Sequence, residues 1–192
     1  TIRDQYNELA LEFDQPFVLR VRAYNEGIAW RFEGRKSAVK SSRAELTGET
    51  ASFHFSAGTY SYFPFEKNFR TATQPTFTPL PAKSIDGAEL GSLPALFVSN
   101  GVNLLLTETD LQDYPGLWLQ GHGDGRIYGV HPKNLDLTKQ NPQNPEQTGE
   151  FTNSIANVAR ARAFPWRIIG VARSDAELLN IQLSYLLAEP SR

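Results

Sequence analysis

Hydrophobic and polar residues alternate with a period of two along most of this chain. Asn7, Leu9, Leu11 and Phe13 oppose Tyr6, Glu8, Ala10 and Glu12. Phe17, Leu19, Val21 and Ala23 alternate with Val18, Arg20, Arg22 and Tyr24, and after Asn25-Glu26-Gly27 the alternation resumes with Ile28, Trp30 and Phe32 against Ala29, Arg31 and Glu33. Successive side chains of a strand point to opposite faces, so this pattern predicts a hairpin with one polar, basic face. Thr50 to Phe55 predicts a further strand. A second hairpin is expected from Ala95 to Thr107, because Asn100-Gly101 suits the positive φ values of a type I′ turn. Leu117–Leu119 and Arg126–Val130 are expected to pair around the glycine-rich stretch 121–125, and Ile168–Ala172 to form a last strand. Ser174 and Glu177 have capping-box spacing for a helical turn from Ala176 to about Asn180.

Between these elements the pattern is irregular. Tyr60 to Phe77 holds six aromatic residues among Pro64, Pro75 and polar positions, which predicts a long ordered loop with short strands. Its rings are expected to seal the core more than to stack on sugars. His131 to Thr152, rich in Pro, Asn, Gln and Lys, reads as an exposed loop or insertion, and Gly34 to Arg43 as a solvated basic loop. The resulting expectation is one mainly β domain over residues 1–192, with little helix and no internal repeat.

Composition narrows the function classes. With 192 residues and 40% hydrophobic content the chain can bury a substantial core. A net charge of −2 supplies no global field for nucleic acid or an anionic membrane. No apolar run approaches the roughly 18 residues of a transmembrane helix, and the first residues lack a signal-peptide pattern. The absence of Cys excludes disulfides, zinc thiolates and thiol catalysis. The absence of Met, with strand-like alternation from the outset, reads as an internal fragment.

One cluster stands out chemically. The apolar run Leu104-Leu105-Leu106 leads into Glu108, Asp110 and Asp113 before Tyr114-Pro115-Gly116 forces a turn. Carboxylates crowded at a strand end repel unless a proton, an arginine or a metal relieves them. The alternative for each Asp is a turn in which it accepts from local amides. His54, His122 and His131 lack the spacing of a zinc site, and each is expected in a solvated strand or loop. Gly121-x-Gly123-x-Gly125 lacks the helix a phosphate loop needs. Trp166 is expected to anchor the last strand in the core, with Arg167 paired to a carboxylate such as one from the acidic turn.

The stretch "LLLTETDLQDYPGLWL" resembles the Thr-Glu-x-Asp-Leu-x-x-Tyr-Pro-Gly segment of the N-terminal β-domain of glycoside hydrolase family 97. "RDQYNELALEF", "LRVRAYNEGIAWRFE" and "FPWRIIGVARSDAELL" followed by "LLAEPS" agree with that family in the same order, although Phe164 stands where Thr is more usual. The resemblance implies an antiparallel, galactose-mutarotase-like β super-sandwich, here incomplete at its N-terminus, followed in such enzymes by a catalytic (β/α)8 barrel. It implies the β-domain of a calcium-dependent, exo-acting α-glucosidase or α-galactosidase acting on α-linked oligosaccharides or glycosides. Glu108 is then the expected calcium ligand, completed by glutamates of the barrel, whereas Asp110 and Asp113 carry only turn or capping roles. The proton donor and nucleophile or base are expected on the barrel, so no catalytic residue is assigned here. Export to the periplasm is a further implication. The rival expectation is a stand-alone carbohydrate-binding or structural β-sandwich without catalysis.

Overall fold

The computed structural model describes residues 4–35, 42–72, 74–136 and 150–189. The strands are β1 (Asn7–Glu12), β2 (Phe17–Tyr24), β3 (Gly27–Gly34), β4 (Arg43–Leu46), β5 (Ala51–His54), β6 (Tyr60–Glu66), β7 (Phe77–Pro81), β8 (Leu90–Gly91), β9 (Ala95–Ser99) and β10 (Val102–Thr109). They continue with β11 (Trp118–Gly121), β12 (Arg126–Val130), β13 (Leu135–Asp136), β14 (Glu150–Phe151), β15 (Ala156–Ala159) and β16 (Trp166–Ala172), and two short helices follow, α1 (Asp175–Leu178) and α2 (Leu183–Leu187).

Every pairing among these strands is antiparallel. One hydrogen-bonded path runs β1-β2-β3-β16-β10-β9-β6-β8-β11-β12-β5, with β7 added beside β6. The path folds back on itself at β6. Tyr60–Tyr62 pair with β9, whereas Phe65 and Glu66 pair with β8. Pro64 falls at the changeover, where a strand tolerates a missing N–H. The expected loop over Tyr60–Phe77 is therefore corrected. Its first seven residues form a bent strand that joins the two layers, and only the segment beyond Glu66 is irregular.

Between the layers lies the main core. Phe63, Ile85, Phe97, Leu119 and Ile127 are fully buried there together with Leu106, each side chain contributing about 1.5–3 kcal/mol through lost apolar exposure. Trp30 of β3 meets Phe53 of β5 at 6.2 Å between ring centroids, and Phe55 stacks on Phe97 at 4.0 Å. The aromatic segment splits between two roles. Phe63 is buried, while Tyr60 and Tyr62 stay exposed on the opposite side of β6.

The outer face of β2, β3 and β16 carries the basic residues expected of the first hairpin. Arg20, Arg22 and Arg31 interleave there with Glu8 and Glu33. Trp166 is buried beneath this lattice, with the guanidinium groups of Arg22 and Arg31 at 4.9 and 4.4 Å from its ring. Leu183 and Leu187 of α2 seal the same face against Ala29 and Ile168. A smaller core of Tyr114, Ile155, Val158 and Phe164, packed on Phe17 and Leu46, closes the end at which β10 terminates. In the expected loop His131–Thr152 the short pair β13–β14 forms, while residues 137–149, like residues 36–41 of the basic loop, lie outside the described residues.

Candidate functional site

The acidic turn begins where β10 ends. Asp110 and Asp113 both adopt left-handed backbone conformations, with φ of 66° and 50°, which Asp tolerates better than most residues. These two turns reverse the chain, so that Leu117 returns beside Glu108. The Leu117 N–H donates to both Glu108 oxygens at 3.1 Å. Gly116 permits the approach, since a Cβ there would lie 3.1 Å from Glu108 Oε1.

Strand register supplies the next partner. Glu108 of β10 stands directly opposite Arg167 of β16, and Arg167 Nη1 donates to Glu108 Oε2 in a short ion pair. The guanidinium is buried, and its other edge is taken by Glu49 from the segment between β4 and β5. Arg167 Nε donates to Glu49 Oε1 at 3.0 Å and Nη2 to Glu49 Oε2 at 2.7 Å. The Tyr114 hydroxyl donates to Glu49 Oε2 at 3.0 Å. His131 Nε2 lies 3.3 Å from Arg167 Nη2, and because arginine only donates, that nitrogen is the acceptor of a neutral ring.

Electrostatics follow from this packing. Burial raises the Glu49 carboxyl, but hydrogen bonds and charge from Arg167 more than reverse it, so Glu49 is held below its ordinary value and ionised. Burial dominates at Glu108 and pushes it up to about 7, against the opposing pull of Arg167 and the Leu117 N–H. Burial lowers His131 to about 4 and raises Tyr114 well above its usual value, Glu49 adding to the latter. Two partly buried carboxylates thus share one guanidinium, with no second cation among the described residues that touch them. Glu49, Tyr114 and Arg167 also line a cleft of about 480 Å³ walled by Phe13, Phe17, Trp30, Phe32 and Phe164, which Glu108 and His131 do not line.

The sequence-derived candidates are thereby sorted. Glu108 and Arg167 meet as expected. Asp110 departs toward Arg31 at 3.7 Å, and Asp113 lines a separate polar cleft with Arg43, Arg162 and Glu189. Both Asp residues play the expected turn role. Trp166, buried as expected, is not available to a sugar. His131 is a correction. It was expected in a solvated loop, yet its side chain is only 2% exposed, because the chain leaving β12 passes over Arg167. Glu49 and Tyr114 were not singled out. The one signal for Glu49 was that a buried Arg167 needs more acceptors than Glu108 offers.

Among the described residues, no group of three or more His, Asp or Glu side chains is arranged to hold a metal ion. What the site offers a cation is one partly buried carboxylate that is incompletely neutralised. Glu108 Oε1 accepts only from Leu117 and retains a lone pair. That donor chemistry fits calcium as a single ligand, since a full shell needs six to eight oxygens.

Comparison with known proteins agrees with this architecture. The family model described as "Glycosyl-hydrolase 97 N-terminal" matches residues 1–190. A retaining alpha-galactosidase of Bacteroides thetaiotaomicron is 32% identical over 206 residues, covering 100% of this chain and 30% of that protein. The chain thus spans less than a third of that relative's length. A glycoside hydrolase family 97 enzyme from Pseudoalteromonas sp. strain K8, solved with acarbose, superposes with a TM-score of 0.72 at 16% identity, over 98% of this chain and 30% of that one. A beta-arabinopyranosidase gives a TM-score of 0.63 at 20% identity, over 90% of this chain and 28% of that one. These two structural likenesses bear on the fold.

Proposed function

The chain belongs to the glycosyl-hydrolase 97 N-terminal family, and from that premise we propose that it serves as the β-domain of a calcium-dependent, exo-acting α-glycosidase. In this reading the domain packs on a catalytic (β/α)8 barrel and presents Glu108 as one calcium ligand near the substrate. The observation that carries it is the pair of partly buried carboxylates, Glu49 and Glu108, set on the single buried guanidinium of Arg167. Such a cluster holds surplus negative charge away from water, and a cation relieves it as well as a proton does.

The chain's own residues have defined parts in this arrangement. Glu108 would hold the ion through Oε1, and Arg167 and the Leu117 N–H fix the carboxylate's orientation from behind. The remaining oxygens would come from the barrel. Calcium bound there supplies Lewis-acid polarisation and a template for a substrate hydroxyl. Substrates of the α-linked glycoside class are supported by the relatives, one an alpha-galactosidase and another solved with acarbose. Periplasmic export belongs to the same reading and rests on the family resemblance alone.

A calcium titration of activity in the longer enzyme tests the assignment. Glu108→Gln preserves size and one carbonyl oxygen but removes charge, so its calcium midpoint should rise and its activity should recover in part at high calcium. Asp113→Asn, in a turn that Asn also accepts, should leave the midpoint in place. An unmoved midpoint for Glu108→Gln removes Glu108 from the site, and a shift in Asp113→Asn alone transfers the role to Asp113.

A further inference from the structure

The clasp around Arg167 is asymmetric, and the asymmetry has a consequence for Glu108. A guanidinium presents five N–H donors in a rigid fork, and its preferred partner is a carboxylate that receives two parallel bonds. Here that two-point edge, Nε with Nη2, goes to Glu49. Tyr114 anchors the same Glu49 carboxylate from the other side, and His131 accepts from Nη2. Only Nη1 remains for Glu108, and it reaches Oε2 alone.

Building on the calcium-ligand reading of Glu108, we propose that Glu49 is a positioning residue for that ligand: by occupying the fork of Arg167 it restricts the guanidinium to one contact with Glu108 and leaves Oε1 and part of its charge for a cation. Without the Glu49 carboxylate, Arg167 is free to turn its fork toward Glu108. A two-point pair there would cover both oxygens and cancel the charge. Glu49 thus sets the cation affinity of a residue it does not touch, through an arginine it holds.

The test is calcium binding by calorimetry on the longer enzyme, with melting of the chelated protein measured in parallel. Glu49→Gln removes one negative charge and keeps an acceptor for Arg167, so calcium should bind about tenfold more weakly, the scale of one unit charge acting over several ångströms at a partly buried site. Glu49→Asp keeps the charge with a shorter reach and should fall between that variant and wild type. Tyr114→Phe removes only the anchor of Glu49 and should weaken binding in the same direction by about two- to threefold, which also serves if Glu49→Gln does not fold. A role confined to packing would lower the melting temperature of the chelated protein and leave the calcium dissociation constant unchanged in all three variants, and that result overturns the inference. If wild type binds and Glu108→Gln does not, while the Glu49 and Tyr114 variants match wild type, only this inference falls. A wild-type enzyme that binds no calcium removes both.

Discussion

Arg167 is the residue on which the interior of this site depends. Its removal strands two partly buried carboxylates, and breaking a buried pair from one side costs about 3–5 kcal/mol. Arg167→Met should therefore unfold at markedly lower denaturant than wild type, and a loss below about 1 kcal/mol would show that Glu49 and Glu108 are not held apart by this charge. Glu108 adds a pH dependence of definite sign. Burial raises its carboxyl from the ordinary 4.5 to about 7 in the folded chain, so the folded state binds more protons than the unfolded one between those values. Stability from this group is complete below about pH 4.5 and declines as pH rises through about 7, by about 3 kcal/mol at most. Glu108→Gln should lose that decline, which melting temperatures at pH 5 and pH 8 would show. Much of this was readable in the sequence, since strand alternation and the acidic turn already suggested that Arg167 meets a carboxylate. Glu49 and His131 were not, because each arrives from a loop remote in sequence, and Tyr114, although part of the acidic turn, read only as a turn residue because no local pattern records that its hydroxyl reaches Glu49.

At the level of elements, period-two patterning located the longer strands of the sheet path, while four-residue β15, with Ala156 and Val158 buried and Asn157 and Ala159 exposed, was too short to stand out. The Asn100-Gly101 turn formed as expected, with φ of 50° and 76°. Gly101→Ala, in open space but at positive φ, should cost about 1 kcal/mol. Gly121→Ala meets a different obstacle, since its Cβ would lie 2.2 Å from the Ile85 carbonyl oxygen. It should cost more than Gly101→Ala, and equal melting temperatures for the two would contradict the packing of β11 on that segment. The N-cap also formed, with Ser174 Oγ accepting from the Glu177 N–H at 3.2 Å, while the Glu177 carboxylate reaches past Ser174 to accept from the Arg173 N–H at 2.7 Å. Several elements were missed, among them β4, β7, β8, β15 and helix α2. Helix α2 spans five residues, and its signal, Leu183 and Leu187 four apart, is too short to separate from loop. Strand β6 was expected only as short strands within a long loop, and the change of partner from β9 to β8 explains why Pro64 is acceptable inside one continuous strand.

For the molecule as a whole, the fold leaves apolar surface that the sequence pattern assigns to an interior. Leu9, Leu11 and Phe32 share one face through the pairings of Leu9 with Val21, of Leu11 with Leu19, and of Leu19 with Phe32. That face continues to Trp30 and the core, yet Leu9 is 55%, Leu11 43% and Phe13 48% exposed. Among the described residues β1 pairs only with β2, and β5 only with β12, so both ends of the sheet path present open backbone. An open edge beside an exposed apolar face favours pairing with another chain. The 192-residue chain, in which no acid among the described residues faces Glu108 across a substrate-sized gap, should hydrolyse no aryl α-glucoside or α-galactoside, and it should associate with itself as its concentration rises. Leu11→Lys places a charge on the apolar face at an exposed position, so it should suppress association while changing stability by less than about 0.5 kcal/mol. Tyr185→Ser, at a position 78% exposed on α2, should leave association as it is. Sedimentation of the three proteins over a hundredfold range of concentration decides the matter, and association that survives Leu11→Lys but not Tyr185→Ser would move the contact to the helical face.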